Sequence, residues 1–105
     1  MKPTVITLCG STKFKKEYIE QQRRLTLEGY IVLTVGFWGH IEARGITVEQ
    51  KVNANRLHLC KIDISSEIFV INPGGYIGES TVKEIRYAKM KKKTIKYLIS
   101  SGEKT

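Results

Sequence analysis

Aspartate is almost missing from this chain: Asp63 is the only one in 105 residues, and the other nine acidic residues are glutamates. Any chemistry that needs paired carboxylates must therefore use Asp63 or glutamate. Cysteine is equally scarce. Cys9 and Cys60 stand far apart with no C-x-x-C pair, which excludes a disulfide scaffold and leaves two buried, reduced thiols as the expected reading. The two histidines, His40 and His58, lack metal-ligand spacing, so no metal and no cofactor is expected. No apolar run approaches the roughly 20 residues that span a bilayer. The run Val5 to Cys9 is also too short for a signal-peptide core, so the expected location is the cytoplasm, away from membranes.

What is present reads as one small globular domain. With 41% hydrophobic and 27% charged residues, the composition suits a single α/β domain over 1–99 with a polar tail, 100–105. A chain of this size buries only about two thirds of its extended surface, so self-association, as a homodimer or larger homo-oligomer, would help its modest core. The net charge of +8 comes from 18 basic residues against 10 acidic ones. Much of it sits in Lys89 to Lys96 ("KMKKKTIK"), with more at Lys13, Lys15, Lys16, Arg23 and Arg24. Such a surface attracts phosphates. A solvated helix end, where lysines complement the dipole, is the preferred reading of Lys89–Lys93, and charge alone does not make a nucleic-acid binder.

Strand and helix patterns alternate. "TVITLC" (4–9) is a continuous β-branched run of the kind found in buried parallel strands. Residues 13–28 read as a helix with Phe14, Tyr18 and Leu25 on one side, closed by Gly29. "YIVLTV" (30–35) is a second strand, followed by the loop 36–46. Thr47 can cap a helix over about 48–63 whose Val48, Val52, Leu59 and Ile62 recur at helical spacing. "EIFVIN" (67–72), a helix over about 79–90 and "TIKYLI" (94–99) complete the pattern. The alternation predicts a three-layer, doubly wound α/β sheet of the Rossmann or flavodoxin kind, with four parallel strands in the order 2-1-3-4. The order reverses between strands 1 and 3, and ligands bind beyond the carboxyl ends of strands at such reversals.

Both strands at the reversal run into glycine turns. "CGST" supplies Gly10, Ser11 and Thr12 beside a helix start, and "NPGGYIGEST" supplies Gly75, Tyr76, Gly78 and Ser80. Free N–H groups at a helix start favour phosphate or carboxylate, though a simple N-cap would produce the same letters. Glu84 lies one helical turn beyond Ser80, on the same face. A carboxylate there can attack or stabilise an oxocarbenium centre; a surface glutamate paired with Lys83, Arg86 or Lys89 is the plainer alternative. Phe37, Trp38, His40 and Tyr76 are loop rings able to stack on a base, while Tyr18 and Tyr87 read as packing residues. Asp63 reads as a solvated helix-end acid.

"VITLCGSTKFKKE" together with "ISSEIFVINPGGYIGESTVKEIRYAKMKKKTIKYL" resembles the nucleoside 2-deoxyribosyltransferase-like superfamily, near its small members and the 2′-deoxynucleoside 5′-phosphate N-hydrolases. The resemblance implies that Glu84 is the catalytic glutamate at the anomeric carbon. It likewise implies that Gly10 and Ser11 form the first turn of the sugar-phosphate site and that Gly78 and Ser80 cradle a 5′-phosphate. His58 stands nearest to where the family has an aspartate before the third strand, and Gly78 where the transferases carry another. "PGGYIGESTVKE" is also similar, with extra residues, to the P-G-G-x-G-T-x-x-E motif of lysine-decarboxylase-like phosphoribohydrolases. The expectation is cleavage or transfer at the N-glycosidic bond of a nucleoside or nucleoside 5′-monophosphate. Glu84 is the catalytic candidate; Gly10, Ser11, Thr12, Gly75, Tyr76, Gly78, Ser80, His58 and Trp38 are substrate contacts. The alternative is a non-catalytic nucleotide-binding or sensing module on the same fold.

Overall fold

In the computed structural model, which describes residues 2–39 and 44–100, the apolar run of the first strand becomes the centre of a sheet. The strands are β1 (Val5–Gly10), β2 (Ile31–Leu33), β3 (Glu67–Ile71) and β4 (Thr94–Tyr97). All pairings are parallel and the order is β2-β1-β3-β4. Among the described residues, three helices connect them: α1 (Lys15–Leu27), α2 (Val48–Ile64) and α3 (Glu79–Met90). This is the expected flavodoxin- or Rossmann-like arrangement.

Alternation along the central strands divides the core into two layers. Ile6 and Leu8 of β1 join Phe69 and Ile71 of β3 under Tyr18 and Leu25 of α1. Cys9, Ile68 and Val70 face the other way, against Ile62 of α2 and Ile85 and Ala88 of α3. Among the described residues, helix α1 thus covers one face and α2 and α3 share the other, as right-handed crossovers require for this strand order. Both central strands are buried on both sides, which is why their sequences read as continuous apolar runs.

Helix α1 ends in a Schellman turn. Tyr30 donates its backbone N–H to Leu25 O at 3.0 Å and Gly29 donates to Thr26 O at 3.0 Å, with Gly29 at φ +102°. Helix α2 begins with a reciprocal capping box between Thr47 and Gln50. Its expected apolar stripe needs correction. Val48 and Val52 are exposed; Leu59 and Ile62 pack on the core as expected, joined by half-buried Ala54 and by His58. The first turns of α2 form a wall over the carboxyl edge of the sheet instead of packing on it. Cys60, two positions from His58, is consequently exposed, not buried; both cysteines are free thiols. Residues 101–105 of the expected tail lie outside the described residues.

Gly10 is required by a neighbouring strand. It has φ +146°, and a Cβ there would sit 2.7 Å from Ile71 O. The close approach draws the ends of β1 and β3 together. Asn72, just past β3, is buried and grips the backbone beyond β4. It donates Nδ2–H to Ile99 O and accepts from Ile99 N, both at 2.9 Å. One side chain thereby extends the β3–β4 pairing past its last rung.

Candidate functional site

Both glycine turns open onto one cleft of about 870 Å³ at the carboxyl edge of β1 and β3. That volume lies within the roughly 300–1,000 Å³ typical of small-molecule sites. Gly10, Ser11, Thr12, Tyr76, Gly78, Ser80, His58 and Glu84 all line it. Gly75 and Trp38 are not on its walls. The Trp38 ring packs edge-on against Tyr18, with centroids 5.2 Å apart, and joins the core layer under α1. Of the other ring candidates, Phe37 lines the cleft and His40 lies outside the described residues. A second, shallower hollow of about 470 Å³, beside Glu49, Val52, Asn53 and Arg56, carries no comparable chemistry.

The turn after β1 satisfies itself locally. Phe14 donates its backbone N–H to Ser11 O at 3.1 Å, and Lys13 N–H reaches Ser11 Oγ at 3.3 Å. Tyr18, buried beneath, donates its hydroxyl to Gly10 O at 2.8 Å and pins the turn. The turn after β3 is a 3₁₀ segment, Pro73–Gly75, and then Gly78 serves as the N-cap of α3 with no side-chain cap. The first N–H groups of α3 therefore have no capping side chain, and they open toward the cleft beside Ser80 and Thr81. Tyr76 links the two turns: its ring meets Phe14 edge-on at 5.8 Å, and Lys13 Nζ sits 3.9 Å from its centroid. Lys51, Lys61 and Lys83 also line the walls, making the cleft electropositive.

At the floor, three elements bring together groups that sequence spacing never joined. Cys9 at the end of β1, His58 on α2 and Glu84 on α3 place sulfur, nitrogen and oxygen donors within 4.8 Å of one another. Cys9 Sγ lies 3.5 Å from His58 Nε2, the donor depending on the ring's tautomer. His58 Nε2 lies 3.9 Å from Glu84 Oε1. Glu84 Oε1 is buried and has no hydrogen-bond partner. Neither a protein-family model nor any curated protein matches this chain.

Electrostatics at the floor follow from burial. Desolvation raises the Glu84 carboxyl to about 7, only partly opposed by the Cys9 thiol beside it. The same burial lowers His58 to about 4, with Lys61 adding repulsion. Burial first, and the Glu84 charge second, push the Cys9 thiol well up. Between about pH 4 and 7 the His58–Glu84 pair therefore holds one proton, on the carboxyl, and forms no ion pair. Glu84 makes no contact with Lys83, Arg86 or Lys89 of the kind the plainer sequence reading anticipated; its neighbours are His58 and Cys9.

The sequence reading singled out His58 through the family resemblance, but not Cys9. The available signal was topological: Cys9 ends the strand at the reversal, and its side chain alternates to the face opposite Leu8. Asp63 remains a surface acid, accepting from the Tyr87 hydroxyl at 2.7 Å.

Proposed function

We propose that the cleft takes a nucleoside or nucleoside 5′-monophosphate and that Glu84 acts at the anomeric carbon to cleave or transfer the N-glycosidic bond. The observation that carries this reading is a half-buried glutamate, its buried Oε1 lacking a hydrogen-bond partner, at the floor of a nucleotide-sized cleft. The likeness to nucleoside 2-deoxyribosyltransferases in the two glycine-turn segments supports it, as do the electropositive walls. The ionised carboxylate attacks C1′ as the C1′–N bond breaks, and the base leaves with the electron pair and takes up a proton. Water, or a second base, then displaces the Glu84 oxygen from C1′ and loses a proton, which regenerates the carboxylate. Hydrolysis consumes one water per bond cleaved. A 5′-phosphate would accept N–H groups from the start of α3, with Ser80 beside it, while Tyr76 or Phe37 offers a face to the base.

Incubation with a panel of ribo- and deoxyribonucleosides and their monophosphates, read as free base by chromatography, tests the reading. Release that vanishes in Glu84→Gln is the expected result; full turnover by that variant would falsify the assignment. A second reading, a nucleotide-sensing module without turnover, is favoured by one observation. Apart from Glu84, the only carboxylate among the described lining residues is Glu79, which is exposed in the first turn of α3. Saturable nucleotide binding without base release would select that alternative.

A further inference from the structure

The cluster at the cleft floor has a donor chemistry that the glycosidic reading does not use. We propose that Cys9 Sγ, His58 Nε2 and the Glu84 carboxylate bind one divalent ion of borderline softness, Zn²⁺ foremost, with a fourth coordination position open to the cleft.

Donor type, geometry and charge each point to this class of ion. A thiolate and an imidazole together disfavour Mg²⁺ and Ca²⁺, which take oxygen ligands, whereas zinc accepts sulfur, nitrogen and carboxylate oxygen in one shell. Zinc bonds of about 2.0–2.3 Å at tetrahedral angles separate the donor atoms by about 3.3–3.6 Å. The observed separations from His58 Nε2 are 3.5 Å to Cys9 Sγ and 3.9 Å to Glu84 Oε1. The third pair, sulfur to carboxylate, lies within 4.8 Å. Glu84 Oε1 must approach His58 Nε2 slightly, and the side chain hydrogen-bonded to its carboxyl group is Cys9, itself a proposed ligand. Cys9 and His58, by contrast, sit on buried backbone, and Gly10 and Tyr18 fix the end of β1. Binding displaces the thiol proton into water, and with it the Glu84 proton wherever the carboxyl is neutral. A thiolate and a carboxylate then neutralise the divalent charge, so no net charge is left in the desolvated floor. His58 and Glu84 line the cleft while Cys9 lies buried behind them, so the fourth position, for a water or a ligand atom, falls on the cleft side.

The expectation of no metal rested on ligand spacing along the sequence, and these ligands come from three separate elements. Metal binding and the proposed glycosidic chemistry compete for the same Glu84 carboxylate, so the zinc-loaded protein would be silent in the base-release assay. The site itself is tested without substrate, which keeps the two readings separable.

The full chain is stripped with a chelator, desalted and titrated with Zn²⁺ against a chromophoric zinc indicator. Co²⁺ is titrated separately and followed by absorption. One zinc per chain is expected, together with a thiolate-to-cobalt charge-transfer band and the intense visible bands of four-coordinate cobalt. Loss of a ligand should cost more than the roughly 10–100-fold typical of removing a supporting hydrogen bond. Cys9→Ser and His58→Asn are thus each expected to weaken zinc binding by over about 100-fold, and Cys60→Ser to leave it unchanged. Failure to bind stoichiometrically, or undiminished binding in both Cys9→Ser and His58→Asn, overturns the proposal. Loss of binding in Cys60→Ser overturns it too. Melting curves in chelator report whether the variants fold. If either does not, the wild-type cobalt spectrum decides: a weak six-coordinate spectrum without a thiolate band rejects the site.

Discussion

Glu84 is held by its surroundings well above the ordinary carboxylate range. Burial at the cleft floor raises its carboxyl to about 7, so half of the chains carry it neutral near physiological pH. A nucleophile must be ionised. In chelator-treated protein, kcat/KM for any substrate found should therefore climb about tenfold per pH unit below 7 and level off above it. A pH–rate series over 5 to 9 measures this, and a plateau reaching down to pH 5 would refute the role. The part of this site legible in sequence was the part built locally. Glu84 follows Ser80 by one helical turn, and that spacing survives in any helix. Its partnership with Cys9 and His58 was not legible, because Cys9 and His58 lie 49 residues apart and meet only through the sheet order and the tilt of α2. Trp38 is the reverse case. An aromatic in a glycine-rich loop reads as a stacking ring, but its large apolar area is better buried against Tyr18 than left at the cleft.

The elements were legible wherever one face had to be buried and were misread where none did. The β1 and β3 runs are covered on both sides, so their apolar continuity marks them plainly. The first turns of α2 wall the cleft, so Val48 and Val52 mimic a core stripe without being one. Element ends yield two predictions. Helix α3 closes with a Schellman turn in which Lys92 N donates to Lys89 O and Lys93 N to Ala88 O, both near 3 Å. The left-handed position at φ +60° is filled by Lys92 where glycine is usual. Lys92→Gly is expected to raise stability by about 0.5–1 kcal/mol, since relief of strain exceeds the added chain entropy. Urea denaturation checks it, and a loss of stability would contradict the argument. Asn72 sits at the other end of the same unit. Removing its amide leaves Ile99 N and O without their partner, partly replaceable by water because Ile99 is 40% exposed. Asn72→Ala should therefore cost about 1–3 kcal/mol, and Asn72→Asp should cost more at neutral pH, because it sets a buried carboxylate against Ile99 O. An equal or smaller loss in Asn72→Asp would show that the donor bond to Ile99 O does not set the cost.

At the scale of the whole molecule, two opposed perturbations share one proton, and their effect on folding nearly cancels. In the unfolded chain the ordinary values are 6.5 for His58 and 4.5 for Glu84, so between those pH values the proton rides on the imidazole. On folding it moves to the carboxyl, because His58 falls to about 4 and Glu84 rises to about 7. Folded and unfolded chains then bind equal numbers of protons across pH 4.5–6.5, and linkage makes the pair's contribution almost flat there. Cys9, Tyr18, Tyr87 and Lys96 are all raised, and they titrate above this window. Single variants break the cancellation in opposite directions. In Glu84→Gln, His58 keeps its lowered value. Its contribution is complete above pH 6.5 and is lost as the pH falls towards 4. In His58→Asn, Glu84 keeps its raised value. Its contribution is complete below pH 4.5 and is lost as the pH rises through 7. Each slope amounts to about 3 kcal/mol over its full span. Denaturation in chelator at half-unit steps from pH 4 to 8, taken as the difference from wild type, removes the background from the net charge of +8. Two slopes of opposite sign are expected. Parallel curves for the two variants would mean that the pair does not exchange a proton on folding, and that the cleft floor is less desolvated than its geometry implies.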